Sequence, residues 1–180
     1  MLKLVIPDKE IYDERTNEFL NIKGATLQLE HSLVSLSKWE SKWCKPFLSK
    51  TDKTTEELLD YIKCMTLTQN VNPDIYKYLS NSTVNQINEY INAPMTATTF
   101  YEEKGSKKSS EQVTSELIYY WMVALNIPFE CQKWHLNRLL TLIKVCNIKN
   151  QPPKKRSKKD IAAQYARINA ERKKQLNTRG

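Results

Sequence analysis

Three glycines in 180 residues are too few for most architectures built on tight backbone reversals. All-β folds place glycine at many turns, and phosphate-cradling loops need it where the backbone approaches a ligand closely. Neither is expected. No GxxxxGKS, GxxxxGKT, GxGxxG or HExxH pattern occurs, so nucleotide loops and helix-borne zinc-hydrolase sites have no motif behind them. The four cysteines (Cys44, Cys64, Cys131 and Cys146) form no CxxC pair. The two histidines, His31 and His135, are far apart in the chain. Cys131 and His135 stand at i and i+4, which on a helix is one face, but two ligands do not make a zinc site. A Cys–His nucleophile built from them would need a third group and an oxyanion hole, and nothing marks either. No metal, no cofactor and no enzymatic activity are expected, and the thiols should be reduced and partly buried. The adjacent carboxylates Glu56–Glu57 and Glu102–Glu103 point apart on any regular element and read as solvated charge. No apolar run approaches the roughly 18 residues of a membrane span. The opening Met1–Ile6 is apolar but meets Pro7 and Asp8 too early for a signal peptide. A soluble protein made inside a cell is expected.

What is present is charge, unevenly placed. The chain carries 28 Lys and Arg against 20 Asp and Glu, a net +8. Residues 149–180 hold eleven basic and two acidic residues, a net +9, which leaves −1 for the other 148. A neutral domain, residues 1–150, is thus followed by a basic tail, residues 151–180. Such asymmetry points to an acidic partner for the tail, or to a solvated tail that aids solubility.

The first 30 residues alternate with period two. Leu2, Leu4 and Ile6 face one way against Lys3 and Val5, residues 19–23 are a second extended candidate, and Ala25, Leu27 and Leu29 alternate after Gly24, which permits a turn. The stretch 8–18 reads as an acidic, exposed loop. After His31 the period becomes helical. Ser32 caps a helix with face Leu33, Leu36, Trp39 and Trp43, which ends by Pro46. Thr54 with Glu57 forms a capping box before a stripe of Leu58, Ile62 and Met65. Asn72–Pro73 places an N-cap before a first-turn proline, with Ile75, Tyr78 and Leu79 inward. Ser82 opens a helix with Val84, Ile87 and Ile91 inward that stops before Pro94. Residues 96–100 suit a short strand, and 104–110 a surface loop. Ser109 with Gln112 caps a helix with Val113, Leu117, Tyr120, Trp121 and Ala124 on its apolar face. After Asn126–Pro128, residues 129–148 form a second helix with the stripe Leu136, Leu139, Leu140, Ile143 and Cys146. The two should pack antiparallel as a hairpin and supply the core of the protein. Trp39, Trp43, Trp121 and Trp134 could offer a binding surface, but each shares a stripe with aliphatic residues and is expected to be buried in a core, Trp43 being the most exposed.

Pro152–Pro153 ends the domain. Ser157 with Asp160 then caps a last helix to about Leu176, whose few apolar residues include Ile161, Tyr165 and Ile168. The fold class is therefore α+β and mainly α-helical: a small N-terminal antiparallel sheet, a helical body and a basic C-terminal helix. The cluster Lys154, Lys155, Arg156, Lys158 and Lys159 matches the pattern of a nuclear localisation signal or a nucleic-acid clamp. It lacks interleaved aromatics for stacking bases, and it suits an acidic protein helix equally well.

Particular stretches resemble a known family. They are Leu27-Gln28-Leu29-Glu30-His31-Ser32-Leu33 through Ser37-Lys38-Trp39-Glu40, Thr114-Ser115-Glu116-Leu117-Ile118-Tyr119-Tyr120-Trp121, Pro128-Phe129-Glu130-Cys131-Gln132-Lys133-Trp134-His135-Leu136-Asn137-Arg138-Leu139, Asn169-Ala170-Glu171-Arg172-Lys173-Lys174 and Asn177-Thr178-Arg179-Gly180. They resemble small proteins of the tail-morphogenesis block of tailed bacteriophages and prophages, of the tail assembly chaperone kind. The resemblance implies a protein of the host cell cytoplasm that binds the tape measure protein, and also the tail tube protein, while the tail forms. It carries no residue-level binding motif. On the residues themselves, Lys154, Lys155, Arg156, Lys158, Lys159, Ile161, Tyr165 and Ile168 are the expected partner-binding set. The alternatives are a virion structural or connector protein, which would be present in purified particles, and a non-specific nucleic-acid binder using the tail. No membrane partner is expected, and the oligomeric state is open.

Overall fold

The computed structural model describes residues 1–13, 17–49, 52–100, 112–151 and 158–176. The protein is α+β and mainly helical, and among the described residues its antiparallel strands lie within the first 30. Four strands build that start. β1 (Leu2–Ile6) pairs with β4 (Ala25–Leu29), Leu4 opposite Leu27. β2 (Lys9–Asp13) pairs with β3 (Glu18–Ile22), Lys9 opposite Ile22. Together they make one long ribbon interrupted once. Pro7 has no N–H to give to the ladder, and the chain breaks there. Opposite it, the Gly24 N–H donates to Asp8 Oδ1 at 2.6 Å instead of to a strand. Gly24 is needed for close approach: a Cβ there would lie 2.2 Å from the Ile6 carbonyl oxygen and 2.6 Å from the Pro7 carbonyl carbon. The expected acidic loop over residues 8–18 is corrected, since Lys9–Asp13 is a strand. Its partner strand, and the ring contact of Tyr12 with Phe19 at 5.1 Å, supply what its local pattern does not advertise.

α1 (Leu33–Trp43) starts as expected at Ser32. The Ser32 hydroxyl accepts the Ser35 N–H, and Ser35 Oγ accepts the Ser32 N–H. It ends before Pro46, where Cys44 turns into the left-handed region at φ 51°. α2 (Thr55–Met65) has the Thr54–Glu57 capping box. Its inward face is rotated from the expected stripe: Leu58 is exposed, while Glu57, Asp60, Tyr61, Ile62 and Met65 are buried. The reason is tertiary. α2 lies along α1, and Lys42 and the Trp43 indole N–H of α1, with Lys45 just beyond its end, answer the α2 carboxylates. Asn72 caps a 3₁₀ turn, Pro73–Tyr78, that buries Ile75 and Tyr76. α3 (Asn81–Asn92) is capped by Ser80, not Ser82, and buries Ile87 and Tyr90. Residues 96–100 form no strand. Phe100 instead lies 4.2 Å from the Lys144 ammonium.

The expected helical hairpin is the largest correction. α4 (Ser115–Ala124) is capped by Thr114; Ser109 lies outside the described residues. Its buried side is Ser115, Ile118 and Met122, while Tyr120 is 65% exposed. α4 packs mainly against α1 rather than against the following helix. Asn126, at φ 52°, does reverse the chain, but residues 129–133 form a 3₁₀ turn and Trp134 is extended. Only then does α5 (Leu136–Asn150) begin. Leu136, Leu139 and Ile143 are buried, and Leu140 is half-buried. The core is consequently not the property of residues 110–148. Leu27 and Leu29 of the ribbon, Leu33, Leu36 and Trp39 of α1, and Tyr61 and Met65 of α2 are as deeply buried as Ile118, Met122, Leu136 and Leu139.

The chain divides into two compact units, Met1–Asn147 and Ile148–Gly180. The second contains α6 (Lys158–Leu176), which ends where the sequence pattern fades.

Candidate functional site

The residues expected to bind a partner fall in the second unit. Lys154, Lys155 and Arg156 lie outside the described residues, as do the side chains of Lys158, Lys159 and Ile161. Along α6, Ile161, Tyr165 and Ile168 stand at i, i+4 and i+7, positions that share a helix side. Tyr165 is 64% exposed, Ile168 is half-buried, and Arg167, Arg172 and Lys173 are exposed. α6 carries six basic residues against Asp160 and Glu171. A helix with this little burial is available to a partner that brings apolar and acidic groups.

The first unit holds an arrangement that sequence spacing hides. His31 and His135, 104 positions apart in the numbering, meet with ring centroids 5.1 Å apart in an edge contact. Each sits just outside a helix start, His31 before α1 and His135 before α5. The backbone locks the two starts together: Ser32 and His135 form an isolated bridge, and the Leu136 N–H donates to the His31 carbonyl at 2.7 Å. Both rings are buried. His135 Nε2–H donates to the Tyr90 carbonyl at 3.0 Å, and Nδ1 accepts the Asn137 N–H at 3.3 Å. The imidazole therefore serves as a cap for α5 and is neutral. The side-chain amide of Asn137 donates to the Ile91 and Ala93 carbonyls, closing the end of α3. His31 Nδ1 lies 2.6 Å from the Tyr61 hydroxyl. Above the pair, the Tyr90 hydroxyl donates to Glu30 Oε1 at 2.6 Å, and Glu30 Oε2 meets the Met1 ammonium at 2.9 Å.

Burial, and then the neighbouring His135, depress the His31 imidazole to about 4. Burial also lowers His135, against the opposing pull of its Tyr90 bond and of Glu30. Burial pushes the Tyr61 and Tyr90 hydroxyls up, so both keep their protons. With rings this enclosed, and with His135 bonded through both nitrogens, the pair has the chemistry of a structural joint. The earlier placement of Cys131 and His135 on one helical face is corrected, because an extended residue separates the 3₁₀ turn from His135. Among the described residues no three His, Cys, Asp or Glu side chains converge as metal ligands.

Three carboxylates are buried between α1, α2 and α4. Glu40 accepts the Phe47 N–H at 2.8 Å and the Ser115 N–H at 2.7 Å, capping α4 from α1. Glu57, expected as solvated charge, is instead buried. It accepts Lys45 Nζ at 2.5 Å and the Thr54 N–H, and those bonds hold its carboxyl below the usual range. Burial raises Asp60, but bonds from Lys42 and the Trp43 indole N–H outweigh it and hold it low. Each carboxylate is satisfied by permanent partners, which suits a framework role. Glu102–Glu103 lies outside the described residues. Trp39 is buried, and Trp43, Trp121 and Trp134 are half-buried.

The histidine joint carries no periodic signal. The one local hint is that each histidine precedes a helix start, Ser32–Leu33 and Leu136. No described helix is long and apolar enough to cross a membrane. No protein-family model, curated protein or solved structure matches the chain.

Proposed function

We propose that this protein is a phage tail assembly chaperone that binds the tape measure protein during tail morphogenesis in the host cell cytoplasm. Its basic segment, α6 included, grips an acidic, helical partner. The observation that carries the reading is the separation of roles along the chain. A near-neutral unit with a well-packed core is followed by a unit with net +9, in whose helix every described side chain except Ile168 is exposed. An exposed basic helix with a short apolar stripe suits helix-in-groove or helix-on-helix recognition. The stretches resembling tail-morphogenesis proteins supply the identity of the partner.

The test compares the intact protein with a form truncated after Asn150, each co-expressed with tape measure fragments and each titrated with duplex DNA. The expected result is tape measure association by the intact form and its loss or weakening on truncation. The same positive charge favours a second reading, salt-dependent binding to nucleic acid. Tail-dependent duplex binding that persists at about 0.15 M salt, without tape measure association, would replace the chaperone reading with that one.

A further inference from the structure

The first unit carries a half-enclosed cleft of about 210 Å³ between α1, the end of α2 and the 3₁₀ turn 129–133. Its floor and lip are apolar: Met65 is fully buried beneath it, Val34 and Cys64 are half-buried, and Leu67 is 55% exposed. Burial pushes the Cys64 thiol up, so it lines the cleft as a neutral group.

The polar groups of the walls are already engaged. Ser32 and Ser35 bond one another in the α1 cap. Both oxygens of Glu30 are taken, one by Tyr90 and one by the Met1 ammonium. What remains is a pair of exposed cations, Lys38 on α1 and Lys133 on the 3₁₀ turn. Among the described residues neither ammonium has a carboxylate partner. The cleft therefore offers apolar contact in its centre and positive charge at its rim. Pockets for whole small ligands run to about 300–1,000 Å³. This one is smaller, closer to the pocket that receives one anchor side chain at a protein interface.

We propose that this cleft docks an acidic amphipathic helix. An aliphatic side chain of that helix enters over Val34 and Met65, and carboxylates one turn to either side pair with Lys38 and Lys133. The proposal rests on the chaperone reading in taking the partner to be helical, and it adds a contact on the neutral unit separate from α6. Charge complementarity gives the partner its sign: a basic or neutral helix would leave both ammoniums unpaired or repelled.

The test uses the full chain, labelled with ¹⁵N, and a synthetic helical peptide with Leu at three- and four-residue spacing and Glu between. Amide shifts are expected at Val34, Lys38, Cys64, Leu67 and Lys133. K38E with K133E should weaken binding about tenfold. Val34→Phe, which fills the cleft, should weaken it too, and should no longer distinguish the peptide from its Leu→Ala analogue. The lysines are exposed, so the charge-reversal variant folds normally and its result is interpretable. Replacing Arg167, Arg172 and Lys173 by Ala should leave the shifts at the cleft in place. Shifts confined to residues 158–176 and indifferent to K38E with K133E would overturn the cleft while leaving the tail reading intact. No shift in either region would also overturn it. Cleft binding in a protein whose truncation after Asn150 leaves tape measure association unchanged would sustain the cleft and remove the role of the tail.

Discussion

Acid should loosen the first unit through His31 before it reaches the carboxyls of Glu57 and Asp60, which are held low. In the folded protein this imidazole is 2% exposed, touches a second imidazole and is depressed to about 4, whereas in the unfolded chain it titrates near 6.5. The unfolded state thus binds a proton that the folded state refuses. Stability is full above about pH 6.5 and is lost as pH falls toward about 4. A difference of about 2.5 pH units corresponds to about 3 kcal/mol at one site, and about 2.5 kcal/mol of it should be gone by pH 4.5. His135, also lowered by burial, adds in the same direction. Glu57 and Asp60, whose carboxyls are held low, release their contribution only at more acid pH. The assay is urea unfolding followed by tryptophan fluorescence at intervals between pH 7 and 4.5. All four tryptophans lie in the first unit, so the signal reports on it. His31→Gln keeps the backbone carbonyl that Leu136 uses and removes the titrating ring. The variant should be less stable at pH 7, yet its stability should fall less steeply between pH 6.5 and 5 than that of the wild type. Equal slopes in that window would refute the neutral, buried histidine and the joint built on it.

Other consequences concern packing and caps. Leu139→Ala should cost about 2–5 kcal/mol by chemical denaturation, since that side chain is fully buried. Leu140→Ala should cost clearly less, because Leu140 is only half-buried; equal losses would mean that the buried side of α5 is misplaced. Gly24→Ala should destabilise by about 1–3 kcal/mol as its methyl group meets the Ile6 and Pro7 backbone; a neutral change would show that the ribbon relaxes freely there. Glu40→Ala should cost about 1–3 kcal/mol by leaving the Phe47 and Ser115 N–H groups without their acceptor. A loss confined to a few tenths would assign those donors to water.

The sequence by itself determined the elements whose signals are local. Ser32, the Thr54–Glu57 box and Asn72–Pro73 mark their helix starts because a cap acts on N–H groups two or three residues away. The alternation of Leu2–Ile6 and of Ala25–Leu29 marks two strands because its period is a property of one segment. The excess of Lys and Arg after residue 149 is a count, and no fold is needed to find it. Tertiary structure decided what depends on partners distant in the chain. Lys9–Asp13 is a strand because Glu18–Ile22 lies beside it. α2 buries Glu57 and Asp60 because Lys45, Lys42 and Trp43 answer them from α1 and its end. α4 turns Ile118 and Met122 inward, and Tyr120 outward, because it meets α1 rather than α5. The histidine joint lay furthest from the sequence. Its two rings stand over a hundred residues apart, and only the packing of two helix starts brings them together, where burial makes them neutral and sensitive to acid.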